Sequence, residues 1–379
     1  MKITEIFSNN EWKELKKFEN LPDSERVITF YAENLASINH FQELITELTE
    51  KRDLQICYVT SVKDDPMLKS ENKKIKTFFI GDGTARTKFF LALKTNVLLM
   101  DMPDLDKFHI KRSKSFPVHY IYIFHSIFSV HSYLRKGALD NYDTVFCVGK
   151  HHISEILETE KIYGLKPKTL VEYGFGRLDS LLKNKAIKNI SNKPRHILIT
   201  PSYGENNLLE VCGIELIDIL LKAKFNVLLR PHFKTLKDSK KLITSILKKF
   251  ENNPNFHFET GIISNEKFND SICMISDWSG ISFEYPLAYG KKVIFIDVPK
   301  KIINSNYNDI STNPIEFSFR EKFGHIVSPK NIQDIPNLIN NENEIGNQKL
   351  EEISSELIFN IKKSSQIGAD FIQQIINQK

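Results

Sequence analysis

Small and hydroxyl-bearing residues gather in the run Ser276-Asp277-Trp278-Ser279-Gly280-Ile281-Ser282-Phe283-Glu284, directly after the apolar stretch 272–275. Such a junction between a buried strand and a helix leaves backbone N–H groups unpaired at the positive end of the helix dipole, an environment that favours phosphate. A second apolar stretch, 292–296, follows the helix beyond Gly290, which completes a βαβ unit. The same residues also suit a plain helix cap made by Asp277 and Ser279, a commoner use of such side chains. Pro286 lies inside the helical stretch and predicts a kink or a late start.

Further chemistry-bearing residues close other apolar runs. His125 ends the stretch 120–124 and precedes Ser126. An imidazole with a pKa near neutrality at a strand's carboxyl end can take a proton from an attacking hydroxyl, although a histidine bonded to a backbone carbonyl reads the same way. His131, six residues on, is its rival. Arg230-Pro231-His232 ends the stretch 226–229. Proline holds Arg230 extended, a guanidinium suits pyrophosphate, and the imidazole can donate to a leaving phosphate; a solvated turn is the alternative. Gly174-Phe175-Gly176-Arg177-Leu178-Asp179 reads as a tight turn with an Arg177–Asp179 ion pair, Arg177 reaching a ligand being the minority reading. Thr200-Pro201-Ser202-Tyr203-Gly204-Glu205 is a small polar turn able to line a nucleotide pocket. Gly81-Asp82-Gly83-Thr84 has the glycine of a phosphate loop without its spacing and is read as a turn and cap.

These groups need strands to hold them, and the chain supplies strands alternating with helical patterns. Strands are predicted at 26–31, 54–60, 77–80, 97–100, 119–124, 144–148 and 169–173, with a helix over 41–48 after the first. A polar, Lys- and Asn-rich stretch at 183–195 reads as a linker. The alternation restarts at 196–200, with helices near 208–222 and 239–250 around a strand at 226–229, and the tail 350–376 carries one helical pattern. The fold class is therefore α/β, two tandem Rossmann-like domains with parallel sheets and a cleft between them. Residues 1–186 form the first domain, 195–345 the second, and 346–379 a helix packing back across both.

Composition excludes several classes. With 379 residues, 41% hydrophobic and 26% charged, the chain suits two ordered domains. A net charge of +5 from 52 basic and 47 acidic residues does not describe a nucleic-acid binder, but it accepts anionic substrates or an anionic membrane face. Three of the four cysteines, Cys57, Cys147 and Cys273, sit in apolar runs, while Cys212 lies apart, and a reducing cytoplasm fits them. Neither a secretory signal nor a spanning segment is read from the sequence.

Taken in order, His125, the 174–179 turn, Thr200 to Tyr203, Arg230-Pro231-His232 and Ser276-Asp277-Trp278-Ser279 resemble the motifs of CDP-glycerol glycerophosphotransferases, which include teichoic-acid primases and polymerases. The resemblance is clearest over 120–297, about half the chain. It implies a glycosyltransferase-B architecture with the acceptor on the first domain and the cytidine nucleotide on the second. His125 and His232 become the catalytic candidates. Arg230, Ser276, Asp277, Ser279, Gly280, Ser282, Glu284, Thr200 and Ser202 become donor and phosphate candidates, with Arg177, Asp179 and His131 behind them. The implied reaction moves a polyol phosphate from a CDP-linked donor such as CDP-glycerol to a hydroxyl of a lipid-linked or polymeric acceptor and releases CMP. No cofactor and no obligatory metal are implied.

Three features depart from the family pattern: Ser126-Ile127 after His125, Gly280 after Ser279, and Pro286 within the following helix. Ser126 stands where the family commonly has glycine, and Gly280 where it often has a second serine, so that phosphate contact rests more on the backbone. A nucleotide-sugar glycosyltransferase fits the same architecture, with UDP, GDP or CMP in the cleft and Glu284 or Glu205 on ribose or sugar hydroxyls. A non-enzymatic, membrane-associated module would use Lys111, Arg112 and Lys114 beside Phe108 and Phe116. In either setting the protein is expected in the cytoplasm, with peripheral contact at the inner membrane face.

Overall fold

The computed structural model describes residues 10–185, 195–261, 265–341 and 344–378. Most of the linker expected at 183–195 lies outside them. The first domain holds β1 (Ile28–Ala32), β2 (Ile56–Thr60), β3 (Ile75–Phe79), β4 (Val97–Met100), β5 (His119–Ile123), β6 (Thr144–Cys147) and β7 (Thr169–Glu172). They form one parallel sheet in the order β3-β2-β1-β4-β5-β6-β7. The second domain holds β8 (His196–Thr200), β9 (Asn226–Leu229), β10 (Phe256–Phe258), β11 (Ser271–Ser276), β12 (Val293–Ile296) and β13 (Gly324–Val327), parallel in the order β10-β9-β8-β11-β12-β13. The strand order of each sheet reverses once, between β1 and β4 and between β8 and β11. The loops leave such points in opposite directions and open a crevice past the strand ends.

Helices cover both faces of each sheet, so strands such as β1 and β2 are buried along their whole length. Under one face of the first sheet lie Phe41, Leu44, Ile45, Phe146 and Tyr173. The core under the other face runs on into the second domain through Ile127, Phe128, Phe283 and Phe323. Phe128 and Phe283 meet edge to face at 5.0 Å. Polar contacts reinforce this seam: Glu316 accepts from Ser129 N at 3.0 Å and from Ser132 Oγ, and Asn304 Nδ2 donates to His131 O at 2.9 Å. The four cysteines are buried and free.

The tail departs from its sequence reading. In place of one helix there are two, Asn347–Leu357 and Ser364–Asn377. Ile358 is extended, and Asn360 and Lys362 take left-handed backbone (φ 45 and 66), which breaks the 3.6-residue pattern between them. The break lies against the first domain, where Phe359 N donates to Val148 O at 2.8 Å and a Cβ on Gly174 would lie 2.4 Å from Phe359 O. Ala369 and Ile372 of the last helix then complete the first-domain core.

Candidate active site

The turn after β11 is braced from within. Asp277 is fully buried; one carboxylate oxygen accepts from Ser202 N at 2.6 Å and the other from Leu208 N at 2.8 Å. Ser276 Oγ donates to Thr200 O at 2.6 Å, and Ser282 Oγ donates to Ser279 O at 2.7 Å. These side chains tie the β11 turn to the β8 loop and are not presented to a ligand. Burial pushes the Asp277 carboxyl up, against the pull of its amide donors. Thr200 is buried too, its hydroxyl without a partner. The outward surface is half-exposed Ser279 and Gly280, at the start of the helix Ile281–Tyr289. That helix begins at Ile281 and carries Pro286 inside it.

His125 sits past β5 on the facing domain. Its Nδ1 lies 3.1 Å from Asp101 O and 3.1 Å from Tyr122 Oη. A carbonyl can only accept, so Nδ1 carries the proton and Nε2, which has no partner among the described residues, carries the lone pair. Burial pushes its pKa down to about 4; the Asp101 carbonyl opposes this, and Lys234 of the second domain adds to it. The near-neutral value expected from the sequence is thus corrected: the ring is neutral at any ordinary pH.

The second domain answers with cations and donors. Arg230 Nε donates to Gly261 O at 2.8 Å, and its pKa is lowered by burial and by Arg177 from the first domain. His232 Nδ1 accepts from Lys234 N at 3.2 Å, so the neutral ring holds its proton on Nε2, where it can be donated. Its pKa is pushed down to about 3 by burial first, then by Lys301, Lys234 and Arg230. The ring packs 4.5 Å from Tyr203, whose own ring carries the Lys301 and Lys234 ammonium groups at 3.1 and 4.4 Å. Burial lowers Lys301 to about 8. Sequence reasoning missed both lysines; position after a strand end, for Lys234 after β9 and Lys301 after β12, was the available signal.

Other candidates are placed elsewhere. Arg177 does not pair with Asp179: its Nε meets Glu284 Oε2 at 2.5 Å, joining the domains. Asp179 instead accepts from Lys362 N at 2.6 Å and from Ser364 N at 3.0 Å, pinning the tail. His131 is sealed with Nδ1 2.9 Å from Glu155 Oε2. Glu205 is exposed. Arg112 is held by Asp143 at 3.0 Å and stacks on Tyr120 at 4.4 Å, so it is not free for a bilayer, whereas Phe108 is 54% exposed. Among the described residues no His/Cys/Asp/Glu cluster could hold a metal, and no helix is long and apolar enough to cross a membrane.

No family model matches the sequence, and no curated protein sequence does. Solved structures share its fold. The wall teichoic acid polymerase TagF after a CDPG soak superposes with a TM-score of 0.56 at 14% identity, over 99% of this chain and 95% of that one. S. aureus MnaA in a co-structure with UDP gives 0.60 at 13%, over 93% and 97%. The UDP-GlcNAc 2-epimerase of Methanocaldococcus jannaschii gives 0.55 at 13%, over 91% and 99%. The shared arrangement of two facing parallel-sheet domains is the glycosyltransferase-B architecture.

Proposed function

We propose that this chain is a transferase that moves a polyol phosphate, such as glycerol phosphate, from a CDP-linked donor to a hydroxyl of a surface glycan, polyol-phosphate chain or lipid-linked acceptor. The observation that carries this reading is the orientation of His125: Nδ1 is tied to the Asp101 carbonyl, the Nε2 lone pair is left open, and the ring lies within reach of the charge of Lys234 from the second domain. In the step, the acceptor oxygen attacks the phosphorus bearing the polyol and its proton passes to His125 Nε2. The bridging P–O bond breaks, and its electron pair leaves with CMP. Arg230, Lys301, the His232 Nε2–H and the helix start at Gly280 are suited to receive that charge. Arrangement of the site by the motifs quoted above supports the CDP-glycerol type, and a TagF structure named for CDPG shares the fold.

A second reading, a glycosyltransferase using a nucleotide sugar in surface polysaccharide synthesis, is favoured by an equal likeness to structures named for UDP or UDP-sugar substrates. The two readings separate in a donor screen. Purified protein is offered CDP-glycerol, CMP-, UDP- and GDP-sugars with lipid-linked and soluble acceptors, and release of each nucleotide is followed. CMP release from CDP-glycerol supports the first reading; turnover of a nucleotide sugar alone overturns it in favour of the second.

A further inference from the structure

The crevice of the first sheet, past β1 and β4, holds polar groups that neither the donor site nor the fold uses. Ser37 Oγ, after β1, donates to Asp101 Oδ1, after β4, at 2.9 Å. Asp101 in turn accepts from His125 through its carbonyl. Beside them is His40, on the helix Ile38–Thr46, with its ring 6.3 Å from that of His125 and 6.0 Å from Phe175. His40 is only 7% exposed, and its Nδ1 is buried without a partner. An apolar ring would pack there without that penalty, so the polarity of His40 has no structural return at Nδ1. Its Nε2 is neither sealed nor bonded among the described residues. A sealed nitrogen is better left as a bare lone pair than as an unmet N–H, which puts the His40 proton on Nε2.

The crevice therefore offers two neighbouring imidazole edges of opposite sense, a donor on His40 and an acceptor on His125. It also offers no unpaired cation among the described residues, and the Asp101 and Glu33 carboxyls beside it disfavour an anion. Arg177 is the nearby cation and is paired with Glu284, whereas Arg230, Lys234 and Lys301 all belong to the donor side. We propose that this crevice is the acceptor subsite and that it takes an uncharged, hydroxyl-rich end group bearing two adjacent hydroxyls. His125 receives the proton of the attacking hydroxyl, and His40 Nε2–H donates to the oxygen next to it. The proposal rests on the transferase reading and assigns His40, with Asp101 behind it, as the acceptor-reading residue.

The test uses the full chain with His40→Leu and His40→Gln, and paired acceptors with and without the hydroxyl adjacent to the attacked one. The expected wild-type preference for the diol is about tenfold, the worth of one hydrogen bond. His40→Leu should bring it near one with donor KM unchanged, and His40→Gln should recover part of it. An unchanged preference in His40→Leu, or a donor KM that moves with it, overturns the proposal. A second measurement needs no donor: histidine ring NMR of the wild type titrated with glycerol and with propan-2-ol. A His40 shift with glycerol alone supports the subsite even if no nucleotide donor is turned over, which would sink only the transferase reading. Equal response to both alcohols, or to neither, counts against the subsite.

Discussion

Ser126 and Gly280 face each other where the two domains touch: a Cβ on Gly280 would lie 2.8 Å from Ser126 Oγ. The contact sets how far His125, one residue before, stands from the helix start that Gly280 opens. Gly280→Ser should force Ser126 away from Phe128 N, from which its Oγ accepts at 3.2 Å, and destabilise the protein by about 1–2 kcal/mol. Adding Ser126→Gly should restore most of the loss. Denaturant titrations of the four proteins measure the coupling, and strict additivity would show that the contact carries no energy.

The Arg177–Glu284 pair is mostly shielded, with 17% and 6% side-chain exposure, and it bridges the domains. Glu284→Gln leaves the guanidinium half-buried and unmatched, an expected loss of about 2–3 kcal/mol. Replacing both residues together, Arg177→Met with Glu284→Gln, should cost less than the sum of the single changes. Calorimetric unfolding of the set decides it.

The buried histidines should make the fold sensitive to acid. His125 and His196 are held down to about 4 and His232 to about 3, below the ordinary histidine value, chiefly by burial. An unfolded chain binds these protons near pH 6.5 while the native one refuses them. Their contribution is thus complete above pH 6.5 and is lost as pH falls toward about 4, up to about 3 kcal/mol for each. The change in unfolding free energy between pH 7.5 and 4.5 should be less destabilising in His196→Gln and His232→Gln than in the wild type; an equal change would contradict the burial of these rings.

Asp101 has the opposite sign. Burial raises its carboxyl to about 7, so the native state favours the neutral form, and stability falls as pH climbs from about 4 through 7. Asp101→Asn should therefore be the more stable protein at pH 8 and lose that advantage near pH 4. An advantage independent of pH would remove the raised carboxyl from the account.

Removing the base should act on rate. With CDP-glycerol and a working acceptor, His125→Ala is expected to lower kcat by roughly 10²–10⁴ while donor KM moves little. Because the His125 pKa is pushed down to about 4, any inflection of kcat/KM near pH 7 should belong to Asp101 and disappear in Asp101→Asn. Arg230→Ala, by contrast, should raise donor KM.

The strands that carry the site were legible because parallel strands covered on both faces read as unbroken apolar runs, as in Ile197, Leu198 and Ile199 of β8. The edges were not. Three-residue β10 carries an exposed His257, and β13 opens on Gly324, where a Cβ would stand 1.9 Å from Val293 O. At the site, His125 and Arg230 were visible because each ends such a run. Asp277 shows the limit: spacing does not distinguish a carboxylate aimed at a ligand from one that caps the neighbouring β8 loop. His40 and Lys234 come from helices and Lys301 from a loop, where a single polar residue leaves no periodic trace.

The last helix bears on how the molecule comes into being on the ribosome. Ala369 and Ile372 fill a core otherwise made by residues of the first domain, from Ile28 to Tyr173, and the segment leading to them is clasped by Asp179. The domain translated first is therefore the one finished last. It waits, with a greasy flank uncovered, until residues 364–377 have emerged, by which time its partner has all its strands in hand.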